Sequence, residues 1–227
     1  MKKKTLNHKI IHGRDIDSID SINTILDVTS LIDNEVFGIL PDYSELEPSQ
    51  ENAIEWVKIN PDIYTFLQNK ENDEITGYIN AIPINDSTYE KIAQGILQEK
   101  QINETHVFSF DQSEEVNIYF MSIAISKKER LLNQGLIKSA FERLIQGLIE
   151  KLVYYAIYKR TKVKNIIAVA WTIEGIKLCD CFGMEPIGKD KYNHPIYNLN
   201  LQDDNNSMKP KMKLWFDSLL NSYRNIK

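Results

Sequence analysis

The 227 residues are 42% hydrophobic and 26% charged, a balance that fits one large globular domain or a domain with appendages. A length of ~200 residues buries a core without disulfide or metal staples, no apolar run reaches the ~18 residues that span a bilayer, and a net charge of -5 argues against a general nucleic-acid binder. The start, MKKKTLNHKIIHGRD, has the charge of a signal peptide without its apolar segment, so a cytoplasmic, soluble protein is expected.

Lys9 to Ile11 predict a short opening strand. Ile19, Ile22, Leu26 and Thr29 then recur at helical spacing, giving a first helix to about Leu31. From Asp33 to Pro48 the period breaks, with Gly38, Pro41 and Pro48 among Asp33, Glu35, Asp42, Glu45 and Glu47, which predicts an acidic loop with some helical turns. Ser49 opens a second helix on Ala53, Ile54, Trp56 and Val57, closed by Asn60-Pro61. A hairpin follows: Ile63 to Leu67 and Ile75 to Ile82 are β-branched and aromatic around the polar turn Asn69 to Asp73, and Pro83 closes it. Asp86 to about Lys100 reads as helix, and His106 to Phe110 as a weak strand.

Val116 to Ile125 is apolar on both faces apart from Asn117 and Ser122, as in a strand covered on both sides. It runs into the polar loop KKERLLNQG and then a long helix from Leu136, striped by Ile137, Phe141, Leu144, Leu148, Leu152 and Tyr155. A loop feeding a helix N-terminus offers unpaired N–H groups to an anion, and Arg130 and Gly135 bracket this one. The cationic run Lys159 to Lys164 is read as a solvated helix end. Ile166 to Trp171 reads as a buried strand, Thr172 as the N-cap of a short helix and Gly183 as its stop. Cys179 and Cys181 sit two apart on that helix, a spacing that neither bridges nor chelates. The strands Pro186 to Lys189 and Ile196 to Leu201 end the domain. Residues 202–211 form a polar linker, and residues 212–227 carry an amphipathic helix that docks on the domain or makes a homodimer.

This order of elements resembles the GNAT family of N-acetyltransferases over roughly Lys9 to Leu201. The family's pyrophosphate signature, Arg/Gln-x-x-Gly-x-Gly/Ala, corresponds to Arg130-Leu-Leu-Asn133-Gln-Gly135, with Asn133 in place of the first glycine. A second likeness, Leu178-Cys-Asp-Cys-Phe-Gly183-Met184, matches a family Leu-Tyr-Glu-Lys-Leu-Gly-Phe. The resemblance implies an α+β fold of three layers, α/β/α, with a mixed, mostly antiparallel central sheet, and a domain over residues 1–201.

It also implies that acetyl-CoA is the acyl donor, with no metal. Its pyrophosphate would meet Arg130 and the backbone of Leu131, Leu132, Asn133, Gln134, Gly135 and Leu136, and its pantetheine would pair with the strand edge at Met121, Ile123 and Ile125. Thr172 stands where relatives place a CoA-contacting asparagine. Cys179 stands where they place the tyrosine that protonates the leaving thiolate. Their strand glutamate falls near Met121, which supplies no carboxylate, so Tyr119 joins Cys179 as a candidate catalytic residue, and Tyr119 and Glu35 as candidates for acceptor binding. Glu115 and His194 are read as exposed or structural, and His8, His12 and His106 fit no metal spacing. The expected activity is direct acetyl transfer to an acceptor amine, and the alternative is a degenerate relative that binds CoA or a protein without turnover.

Overall fold

Apolar spacing and the caps between apolar runs set the elements of the computed structural model, which describes residues 7–16, 18–40, 43, 48–132, 137–202 and 210–224. The strands are β1 (His8–His12), β2 (Tyr64–Asn69), β3 (Ile75–Ile84), β4 (Glu115–Ile125), β5 (Lys162–Val169), β6 (Glu185–Lys189) and β7 (Pro195–Asn200). The helices are α1 (Ile19–Phe37), α2 (Gln50–Ile59), α3 (Asp86–Ala93), α4 (Lys127–Leu132), α5 (Ile137–Lys159), α6 (Ile173–Phe182) and α7 (Pro210–Arg224).

The strands form a seven-stranded sheet in the order β1-β2-β3-β4-β5-β7-β6. β1 with β2, β2 with β3, β5 with β7 and β6 with β7 are antiparallel, whereas β4 and β5 run parallel. A parallel pair needs a long crossover, which α4 and α5 supply. The expected α+β class with a mostly antiparallel mixed sheet is what the chain forms.

Two compact units divide the chain, residues 1–80 with 122–148 and residues 81–121 with 149–227. In the first, Leu26, Thr29 and Ile32 of α1, Trp56 and Val57 of α2, and Phe66, Leu67, Tyr78 and Ile79 of β2 and β3 are buried. Gly147 of α5 is there because a Cβ would lie 2.8 Å from Ile10 Cγ2 and 3.0 Å from Thr65 Cγ2, so the helix approaches the sheet as closely as a glycine allows. In the second, Ile118 and Phe120 of β4, Leu152 and Ala156 of α5, Ile166 and Ile167 of β5, and Ile196 and Leu199 of β7 form the core. Phe182 of α6 meets Phe120 and Phe216 edge-on at 6.0 and 5.9 Å. α7 thus buries Met212, Phe216 and Leu219 within this unit.

Several boundaries differ from the sequence reading. α1 runs on to Phe37, so Asp33 and Glu35 lie on its last turns rather than in a loop. Asp33 falls seven residues after the buried Leu26 and four after the buried Thr29, which keeps it near the helix's inner face. Of the expected loop beyond, residues 41–42 and 44–47 lie outside the described residues.

The segment KKERLLNQG is not a loop throughout: its first six residues form α4. Ser126 Oγ accepts from Glu129 N at 3.2 Å, so Ser126-Lys-Lys-Glu129 is a helix-start pattern placed directly after a strand. β5 starts at Lys162, earlier than expected, because Lys162, Val163 and Lys164 alternate in strand fashion with Val163 buried. Pro83 lies inside β3 rather than closing it. The weak strand at His106 to Phe110 reduces to one bridge, Ile84 to Val107, and the helix expected to Lys100 stops at Ala93, before Gly95 turns at φ 70°.

Candidate functional site

β4 carries three of the residues expected at the donor, Met121, Ile123 and Ile125. Its parallel ladder with β5 runs from Glu115↔Lys162 to Tyr119↔Ile167, yet the strand continues to Ile125. Val116 to Phe120 are buried, Met121, Ser122 and Ile123 are half-exposed, and Ala124 and Ile125 are buried again. The strand therefore extends six residues past the end of that ladder, and an extended ligand pairs with a strand edge through main-chain hydrogen bonds.

The strand passes through Ser126, whose N–H bonds Thr76 O at 2.9 Å, into α4. Gly77 of β3 allows this approach, since a Cβ would lie 2.8 Å from Ala124 O. Three contacts fix α4. Glu35 Oε2 accepts from Lys127 N at 2.7 Å, Lys128 Nζ pairs with Glu74 at 2.6 Å, and the buried Glu129 lies 3.3 Å from Nε2 of the buried His8. The Lys128 ammonium holds the Glu74 carboxyl below the usual carboxylate range.

Arg130 sits on this anchored helix, half-buried, with its N–H on Ser126 O at 3.0 Å. Its Nε is shielded from solvent and makes no hydrogen bond among the described residues. A guanidinium N–H in that state is available to an anionic oxygen. Leu131 is exposed and Leu132 ends the helix. Asn133, Gln134, Gly135 and Leu136 lie outside the described residues.

Glu35, the residue expected at the acceptor, caps α4 through the Lys127 amide. Beside it on α1, Asp33 Oδ1 accepts from the hydroxyl of the buried Tyr78 on β3. Ser122 Oγ of β4 donates to Tyr78 Oη at 3.3 Å. The chain Ser122, Tyr78, Asp33 links α1 and β3 to the half-exposed part of β4. Burial, and then the Asp33 charge, push the Tyr78 phenol well above its ordinary range, so Tyr78 keeps its proton and donates it to the carboxylate. Sequence reasoning missed this chain. The one available signal is the helical phase of Asp33, which continues the face of Leu26 and Thr29.

The remaining candidates lie in the second unit. Tyr119 is buried and donates to Glu99 Oε2 at 2.8 Å; burial, and then the Glu99 charge, push its phenol well above the ordinary range. Cys179 is buried on α6, and burial, with Asp180 beside it, pushes its thiol up to about 12. Neither cysteine is in a disulfide. Thr172 caps α6, its Oγ accepting from Gly175 N at 2.9 Å, and Gly183 closes the helix at φ 68°. Glu115 is exposed. His194 Nδ1 lies 3.2 Å from Oδ2 of Asp190, whose Oδ1 accepts the amides of Tyr192 and His194 and so shapes the β6 to β7 turn. Among the described residues no cluster of three or more His, Cys, Asp or Glu could hold a metal ion, and no helix is long and apolar enough to cross a membrane.

No family model and no curated protein matches the chain. Among solved structures, it is similar to a GNAT-family acetyltransferase from Streptococcus agalactiae, at 16% identity over 85% of this chain and 95% of that one, with a TM-score of 0.49. It is similar to the loading GNATL domain of CurA from Lyngbya majuscula, at 16% identity over 86% and 98%, with a TM-score of 0.49. It is also similar to Arabidopsis thaliana Naa50, solved in complex with the bisubstrate analogue CoA-Ac-MVNAL, at 11% identity over 86% and 99%, with a TM-score of 0.45.

Proposed function

We propose that the chain is an N-acyltransferase that moves an acetyl group from acetyl-CoA directly to an amine of its acceptor. The observation that carries this reading is on β4. The strand leaves its ladder with β5 at Tyr119↔Ile167, runs on to Ile125, and leads without a break into the anchored helix that holds Arg130. An extended pantetheine arm suits such a strand edge, and a pyrophosphate suits the guanidinium and the N–H groups that follow it. Arg130 and the backbone from Leu131 to Leu136 are assigned to the pyrophosphate, and Met121, Ile123 and Ile125 to the pantetheine. Thr172, engaged as an N-cap, is assigned a contact through the start of α6.

Direct transfer forms the N–C bond of the amide, breaks the C–S bond of the thioester, and moves a proton from the amine nitrogen to the departing sulfur. Positioning and oxyanion stabilisation carry most of such a reaction. A thiol at about 12 is a weaker acid than an ordinary thiol at ~8.5, so Cys179 serves the leaving thiolate as a hydrogen-bond donor, not as a proton source. Tyr119, committed to Glu99, supports β4 from within the core.

A second reading has its own observation. β4 carries no carboxylate at Met121 and α6 carries the buried Cys179 in place of a tyrosine, as in a relative that binds CoA without turnover. Thiol release from acetyl-CoA across small amines, polyamines, aminoglycosides, peptides and aminoacyl-tRNA, with mass analysis of products, separates the two. An acetylated product with stoichiometric CoA is expected, and release at the buffer rate with every acceptor rejects the transferase in favour of the binding protein.

A further inference from the structure

The acyl transfer proposed above needs a neutral amine, and β4 carries no base at the position nearest the donor edge. We propose that the hydrogen-bonded chain Ser122, Tyr78, Asp33 supplies it, taking a proton from the acceptor's ammonium through Ser122 and Tyr78 to the Asp33 carboxylate, and thereby assigning the acceptor to the protonated alkylamines. This inference rests on the transferase reading.

The geometry gives the chain a direction. Ser122 Oγ spends its proton on Tyr78 Oη at 3.3 Å, and the Tyr78 hydroxyl spends its own on Asp33 Oδ1. Each hydroxyl oxygen keeps lone pairs to accept from the preceding group, so the proton-accepting end is Ser122, on the half-exposed stretch of β4. Asp33 is the anion at the other end. The titratable groups acting on Tyr78 are Asp33 from α1 and Tyr64 from β2, whose ring lies 5.9 Å away; Ser122 is the neutral contact from β4.

The balance is simple. An ammonium N–H proton passes to Ser122 Oγ as the serine proton passes to Tyr78 Oη and the tyrosine proton to Asp33 Oδ1. The products are a neutral amine and a carboxylic acid at Asp33. The amine then attacks the thioester carbonyl, the C–S electron pair leaves on sulfur, the second nitrogen proton neutralises the thiolate, and Asp33 returns its proton to water. Ser122 is the catalytic residue of this step, and Tyr78 and Asp33 are positioning residues that act through it.

A nucleophile that is already neutral needs no such chain, which gives a readout that a merely structural role would not move. Thiol release from acetyl-CoA is measured between pH 6.5 and 9 with n-butylamine, protonated throughout this range, and with hydroxylamine, whose nitrogen is unprotonated at neutral pH. The proteins are the unmodified chain, Asp33→Asn, Tyr78→Phe and Ser122→Ala. The expected result is a loss of about 100-fold with butylamine in each variant, little change with hydroxylamine, and a butylamine rate in Asp33→Asn that climbs steeply with pH as the free amine accumulates. Equal losses with both nucleophiles, or no loss with butylamine, overturn the relay. No release with either nucleophile from the unmodified chain also overturns it. The melting temperature with acetyl-CoA is read on the same samples, because a missing shift in the unmodified chain rejects the donor site itself, whereas a shift kept in all variants confines the failure to the relay.

Discussion

Cys179 and Tyr119 carry polar hydrogens, and in both burial decides what they do with them. The Cys179 thiol stands at about 12, so at pH 8 it is overwhelmingly protonated, and thiolate, the reactive form, accumulates only as the pH climbs toward that value. Iodoacetamide at pH 8 is therefore expected to leave Cys179 unmodified in the folded chain and to modify it only after denaturant is added, as followed by peptide mass spectrometry. Labelling of native Cys179 at the rate of a free thiol would show that the helix opens readily or that the thiol is far more acidic than its surroundings imply. At this scale the sequence was informative where one residue type has one job. Thr172 and Gly183 cap α6 as their types require, and Ser49 caps α2, accepting from Asn52 N. The relay was invisible because Asp33, Tyr78 and Ser122 lie 45 and 44 residues apart, and no local pattern records a contact between a helix and two strands.

Among the elements, α5 shows how packing reverses a local preference. Alanine exceeds glycine in helix propensity by ~1 kcal/mol, so position 147 taken alone favours alanine. The two β-branched methyls that a new Cβ would meet, at 2.8 and 3.0 Å, have stiff side chains. Overpacking costs typically 1–3 kcal/mol, which outweighs the propensity gain. Gly147→Ala is thus expected to lower stability by about 1 kcal/mol in urea denaturation, and a higher midpoint would show that α5 stands off from Ile10 and Thr65. The same competition explains the misplaced boundaries. From Asp33 onward the apolar period breaks, which reads as loop, but Asp33 and Glu35 stay helical with partners at Tyr78 and Lys127. Lys162 and Lys164 looked like a solvated helix end, but Lys164 Nζ pairs with Asp86 at 2.5 Å, and the ladder of β5 begins with Lys162 opposite Glu115.

For the whole molecule, the class of fold was legible because long apolar periods mark β4, α5 and β5 in succession, and a strand, a helical crossover and a second strand make a parallel pair. Arg130 was legible as a cation following that strand, and it stands on α4. The contact of Ser122, Tyr78 and Asp33 was not, since only the folded chain brings those side chains together. In the function proposed above, the β4 edge and Arg130 hold acetyl-CoA. Isothermal titration with acetyl-CoA, on the unmodified chain and on Arg130→Ala, tests it most directly. Saturable one-to-one binding is expected, weakened by about tenfold or more in the variant, the size of a lost charge-assisted contact of ~1.5–3 kcal/mol. No heat of binding at millimolar acetyl-CoA, or equal affinity in the two proteins, would contradict it.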